Sequence, residues 1–137
     1  MEMTKKRLEA YRSEKQEIQE LKYKLQNLKA EDFTGNDVIM DYRSGFPVPQ
    51  SVVGTDLGAY YTRKAHLTSE IFRLEQRCQE TEQWIEEIPD SLTRRMFRLY
   101  FVDGKNQKDI AKQIHTDRSV ISRKINNYIQ RCEKVNM

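Results

Sequence analysis

The sequence predicts an all-α fold: a long antiparallel, coiled-coil-like helical hairpin over residues 1–88, followed by a small three-helix domain containing a helix-turn-helix over residues 89–137. Three observations carry that expectation. Residues 56–88 hold an apolar seam at alternating spacings of three and four. Residues 106–129, NQKDIAKQIHTDRSVISRKINNYI, have the spacing of two short helices joined by a tight turn. The composition, 37% apolar and 33% charged, suits extended helices around narrow seams better than one thick globule.

The first helical segment, residues 4–29, places Tyr11, Ile18, Leu21, Leu25 and Leu28 on one seam. Arg7 and Glu14 fall at seam positions, so its amino-terminal half is expected to fray or to order only against a partner. Residues 31–55 contain three of the five glycines together with Pro47 and Pro49, which argues for a loop with neither helix nor long strand. That loop is rich in apolar side chains (Phe33, Val38, Ile39, Met40, Tyr42, Phe46, Val48, Val52 and Val53), so it either caps the hairpin or docks a partner.

The second segment carries Leu57, Tyr60, Lys64, Leu67, Ile71, Leu74, Cys78, Thr81, Ile85 and Ile88 on its seam. At 1.5 Å per residue it would reach about 45 to 50 Å, too long to be buried in so small a domain, so it must pair. The first helix and a second copy of the chain are the available partners, and both are expected. Leu57, Tyr60, Leu67, Ile71, Leu74, Ile85 and Ile88 are the candidate oligomerisation residues of a homodimer. Tyr61, Phe72 and Trp84 either serve that dimer or widen the intramolecular seam.

Pro89 closes the long helix, and Asp90 or Ser91 caps the next, where Leu92, Met96, Leu99, Tyr100 and Val102 form a stripe over residues 91–102. Asp103-Gly104 ends it. A middle helix over 106–114 opens on Asn106, with Asp109 three residues on as in a capping box. Ala111 beside Ile110 suits a close helix crossing, and Ile114, Ile121 and Ile125 would fill the angle between the helices. His115 and Thr116 make the turn. Glycine is common at such a turn because φ is positive there, and His is among the residues that tolerate it. A last helix over 118–132 opens after Asp117, whose charge and side-chain oxygens suit a helix start.

On that last helix Val120, Ile121, Ile125, Tyr128, Ile129 and Cys132 share one face, leaving Arg118, Ser119, Ser122, Arg123 and Asn126 on another. The polar face is the candidate base-reading surface for double-stranded DNA. Charge points the same way. Residues 89–137 hold 11 Lys or Arg against 5 Asp or Glu, a net +6, whereas residues 1–88 hold 13 against 16, a net −3. A locally basic domain favours a polyphosphate partner through counterion release. Lys105, Lys108, Lys112 and Lys124 are either phosphate contacts or solvated surface.

Catalysis is not expected. His66 and His115 are the only histidines, and neither a metal-ligand Cys pair, a phosphate-binding glycine loop nor a nucleophile motif is present, so no cofactor or metal is expected. Cys78 and Cys132 fall at apolar helical positions, as reduced core residues would. The charged start MEMTKKRLEAYRSEK lacks the apolar core of a secretory signal and no run approaches membrane-spanning length, so a cytoplasmic protein without membrane contact is expected.

The run SLTRRMFRLYFVDGKNQKDIAKQIHTDRSVISRKINNYIQ resembles the fourth conserved region of bacterial sigma factors. An arginine-rich helix, a loop ending in Gly, an Ile-Ala pair and a terminal helix match in order. Preceded by long charged helices and a Gly/Pro loop, it looks like the small phage transcriptional regulators of the RinA and ArpU type. That resemblance implies a promoter-binding activator of late phage genes for packaging or lysis, with possible contact to host RNA polymerase. Carried over by position, it makes Arg118, Ser119, Ser122 and Arg123 the residues that reach base edges. Two other readings stay open: a DNA-packaging protein resembling a small terminase subunit, and a helical adaptor that binds RNA polymerase.

Overall fold

The computed structural model describes residues 2–41 and 48–135, with 34–41 and 48–55 described as backbone. Helices dominate: α1 (Lys5–Gln26), α2 (Leu57–Glu86), α3 (Ser91–Phe97), α4 (Gln107–Gln113) and α5 (Arg118–Val135). The fold class is all-α, with one exception in the segment between α1 and α2. There the expected loop over 31–55 gives way to a 3-10 turn (Ala30–Phe33) and two antiparallel strands, β1 (Thr34–Asp41) and β2 (Val48–Thr55). Thr34 pairs with Thr55 and Met40 with Pro49. Proline argued against a strand only as long as the strand was central. In a two-stranded ribbon both strands are edges, where a missing N–H is tolerated, and the β-branched Val48, Val52 and Val53 favour extension. Tyr42, Phe46 and Pro47 lie outside the described residues.

Contacts divide the chain into two compact units, Met1–Ile18 with Arg73–Met137, and Gln19–Phe72. The boundary expected at 88/89 is not where contact divides, because Pro89 turns the chain without separating cores. Ile85 and Ile88 at the end of α2 belong to the same buried cluster as Met96, Phe97, Leu99, Phe101, Ile110, Ala111, Ile121, Ile125 and Ile129. Met3 and Leu8 join it, with Leu8 only 1% exposed. Of the two expectations for the amino-terminal half of α1, fraying or ordering against a partner, the second holds, and the partner is the carboxyl-terminal helices of the same chain.

Its two charged seam residues are matched. Arg7 Nη2 donates to Glu80 Oε2 at 3.0 Å, and Arg77 Nε donates to Glu14 Oε2 at 3.1 Å. Between them the buried Tyr11 hydroxyl donates to Glu82, and burial followed by that carboxylate pushes the Tyr11 pKa up. Thr4 caps α1 by accepting from the Arg7 N–H at 3.2 Å.

Phe97 is the hub of this unit, with no exposed surface and the rings of Trp84, Phe101 and Tyr128 at centroid distances of 5.7, 5.5 and 5.3 Å. Asp90 caps α3, accepting from the Thr93 N–H at 3.0 Å and its hydroxyl at 2.7 Å, and these two bonds hold its carboxyl below the usual range. The single helix expected over 91–102 changes pitch after Phe97 into a π-type turn (Arg98–Val102), closed by the Asp103 N–H donating to the Arg98 carbonyl at 2.9 Å. Gly104 then takes φ 71°, and the Lys105 N–H donates back to the Leu99 carbonyl at 2.9 Å. Gly104→Ala should cost about 1 to 2 kcal/mol from the left-handed backbone alone. A thermal melt of the variant superimposing on the parent would contradict this.

In the second unit Asp56 caps α2, accepting from the Ala59 N–H at 2.9 Å, and its own N–H donates to the Phe33 carbonyl at 2.9 Å. Phe33 meets Tyr60 edge-on at 6.0 Å. Leu67 and Ile71 are buried, while Tyr23, Leu57, Tyr61 and Phe72 stay exposed. Among the described residues no helix is long and apolar enough to cross a membrane.

Candidate nucleic-acid interface

The α4–α5 pair is set up by local chemistry. Asn106 has extended backbone, φ −74° and ψ 162°, and its side-chain oxygen accepts from the Asp109 N–H at 2.8 Å, so α4 starts where a short polar cap permits. Its apolar side buries Ile110 completely and Ala111 nearly so. The helix ends at Ile114, and His115 adopts φ 58°. The Thr116 N–H then reaches back to the Ala111 carbonyl at 2.9 Å, turning the chain into α5 within four residues. The left-handed position expected at His115 is present without glycine.

Helix α5 is fixed by Ile121, Ile125 and Ile129, all buried, with Tyr128 and Cys132 half-buried beside them. Burial and the adjacent Cys132 raise the pKa of Tyr128, and the ring closes over Phe97 and Trp84. With that stripe turned inward, Arg118, Ser122, Asn126, Ser119 and Arg123 follow one another around an arc of about 140° at about 100° per residue. Arg118, Ser119 and Arg123 are exposed, and Ser122 and Asn126 between them are half-buried. All five candidate base-reading residues thus share one surface.

The lysines are less uniform. Lys108 and Lys112 are exposed one turn apart on α4. Lys105 precedes α4 and its Nζ donates to Gln113 Oε1 at 3.0 Å. Lys124 lies on the other flank of the buried stripe, close enough to Asp90 to help keep that carboxyl ionised. It is therefore set apart from the polar arc.

Of the candidate oligomerisation residues, Leu67, Ile71, Leu74, Ile85 and Ile88 are already covered within the single chain, and Tyr60 is half-buried. A helix seam cannot face its own chain and a second copy at once. Leu57 remains, 53% exposed, with Tyr61 and Phe72 at 60% and 63%; Trp84 belongs to the aromatic cluster around Phe97. Both cysteines are free thiols, and burial followed by Glu14 pushes the Cys78 pKa up, consistent with an inert core thiol.

One charged residue near this surface was not legible in the seam pattern. Arg12 of α1 lies over Gly104, where an added Cβ would collide with its guanidinium, and with Lys105 it lines an open-sided cleft of about 260 Å³. The available signal was weak, a basic residue next to buried Tyr11 on a helix whose packing partner is some ninety residues away in sequence. Comparison of the chain with protein-family models, curated proteins and solved structures found no match.

Proposed function

We propose that this protein is a sequence-specific, double-stranded DNA-binding transcriptional regulator, an activator of phage late genes for packaging or lysis, acting through a helix-turn-helix made by α4 and α5. The observation that supports it is the arc of Arg118, Ser119, Ser122, Arg123 and Asn126 on a helix whose adjoining apolar stripe is buried, within residues 89–137, which carry a net charge of +6. A helix of this kind fits the major groove, where arginine binds guanine bidentately, asparagine binds adenine, and serine makes short adaptable contacts. Lys108 and Lys112 meet phosphates and fix register without reading sequence. The late-gene assignment and any contact with RNA polymerase rest on the resemblance to the RinA and ArpU type.

Selection of bound fragments from the source genome followed by footprinting tests the reading. Arg118→Ala or Arg123→Ala should then weaken binding to the selected site by about 1 to 3 kcal/mol while sparing non-specific duplex. Equal loss on every sequence would remove these residues from base reading.

The protein acts as a homodimer in this reading, since two-fold DNA sites suit two-fold proteins. The exposed stripe Leu57, Tyr61, Thr68 and Phe72 is spaced four, seven and four, so it reads the same in both directions. An antiparallel second copy would set Leu57 against Phe72 and Tyr61 against Thr68. Sedimentation equilibrium checks this, and a monomer at micromolar concentration rejects it. The dimer replaces the covered seam residues Leu67 to Ile88 as the oligomerisation surface.

A further inference from the structure

We infer that Arg12, on the amino-terminal helix, extends the DNA interface, and that the cleft it shares with Lys105 takes a backbone phosphate of duplex DNA. This rests on the DNA-binding reading above. One wall of the cleft is Glu9 and Arg12 of α1; the other is Tyr100, Gly104 and Lys105. Its volume of about 260 Å³ and open side admit a phosphodiester running past it.

Gly104 is what lets the two walls meet. It has no Cβ and a left-handed backbone, so the Arg12 guanidinium rests against the loop at a place from which an added Cβ would push that flexible tip aside. The planar fork of that guanidinium presents paired N–H donors matched to two phosphate oxygens, which a lone ammonium does not. Glu9 is the acidic group on this cleft, and Lys5 Nζ stands 3.9 Å from its carboxylate, so Arg12 and Lys105 leave the cleft positive.

The cleft also borders the proposed reading head. Lys105 Nζ reaches Gln113, the last residue of α4, and five residues later the chain enters α5 at Arg118. Arg12, Lys105 and Gln113 thus form a polar rim leading to the turn that precedes the base-reading arc. Phosphate contacts of this kind set register and strengthen binding to every sequence alike.

The test uses the full chain and a fluorescein-labelled duplex of mixed sequence, with affinity measured by anisotropy from about 50 to 200 mM salt. Arg12→Gln should keep the parent circular dichroism and melting curve, and should flatten the log-log salt slope by roughly 0.9, the value of one phosphate contact. Arg12→Lys should keep the parent slope. A parent slope in Arg12→Gln overturns the phosphate site while leaving the DNA-binding reading intact. Equal flattening in Arg12→Lys also overturns it, since the effect would then follow shape and not charge. Failure of the parent protein to bind duplex even at the lowest salt would instead reject the DNA-binding reading, and this site with it.

Discussion

Phe97→Ala should lower the free energy of unfolding by about 3 to 5 kcal/mol, the range for removing a buried phenyl ring. The upper part of that range is expected here. Phe97 has no exposed surface, and its ring is met by three aromatic neighbours belonging to α2, the π-type turn and α5. Each well-oriented aromatic pair adds about 0.5 to 1.5 kcal/mol beyond the area it buries, so the cavity left by alanine also loses oriented ring contacts. Collapse into that cavity is hindered because its walls come from different helices already tied by Ile88, Met96, Ile110 and Ile121. Against a total stability typical of small domains, about 5 to 15 kcal/mol, the variant should be marginal. Trp84 is the only tryptophan in the chain and its ring lies 5.7 Å from Phe97, so its fluorescence in urea reports the loss directly. A fall of less than about 1.5 kcal/mol with unchanged denaturant slope would mean that Phe97 is not the hub of this unit.

How much of this arrangement is legible in the sequence depends on the range of the interaction that decides it. The α2 seam is readable because spacing alone selects one side of a helix, and Leu67, Ile71, Leu74, Cys78, Thr81, Ile85 and Ile88 are all buried as that spacing requires. Asn106 and Asp90 are readable for a similar reason, since a cap bonds a group three residues away. The inward stripe of α5, and with it the outward arc, follows from Ile121, Ile125 and Ile129 in the same way.

Long-range partners are what the sequence hides. Arg7 and Glu14 look like flaws in the α1 seam until Glu80 and Arg77 stand opposite them, and Leu8 sits one position off the seam that Tyr11 and Ile18 suggest. The paired strands at 34–41 and 48–55 are hidden because proline excludes interior strands, and these strands have no interior. Pro89 suggests a domain boundary because a helix break and a break between cores look alike in one dimension. The separation of Lys124 from the polar arc follows from helical phase. Its proximity to Asp90 does not, since that depends on how α5 crosses α3.

Leu8→Ala is the sharper test of how the chain is organised. The expected loss is about 2 to 5 kcal/mol, the range for truncating a buried leucine. Leu8 is 1% exposed and belongs to the same buried cluster as Ile110 and Ile121, so deleting its side chain opens a cavity in the core that supports α4 and α5. Hydrogen bonds and ion pairs along α1 cannot compensate. Arg7 with Glu80 is partly solvated, and exposed pairs contribute only about 0 to 1 kcal/mol each. The loss should therefore appear at a distance from the mutation. Trp84 fluorescence, which senses the Phe97 and Tyr128 rings, should shift its urea midpoint together with the helical circular dichroism, as one cooperative transition. If α1 were an independent arm, the dichroism would lose amplitude early while the Trp84 midpoint stayed with the parent. Coincident shifts would mean that the first helix of the chain and the last two fold as one body, so that a carboxyl-terminal fragment beginning at residue 89 lacks part of its own core.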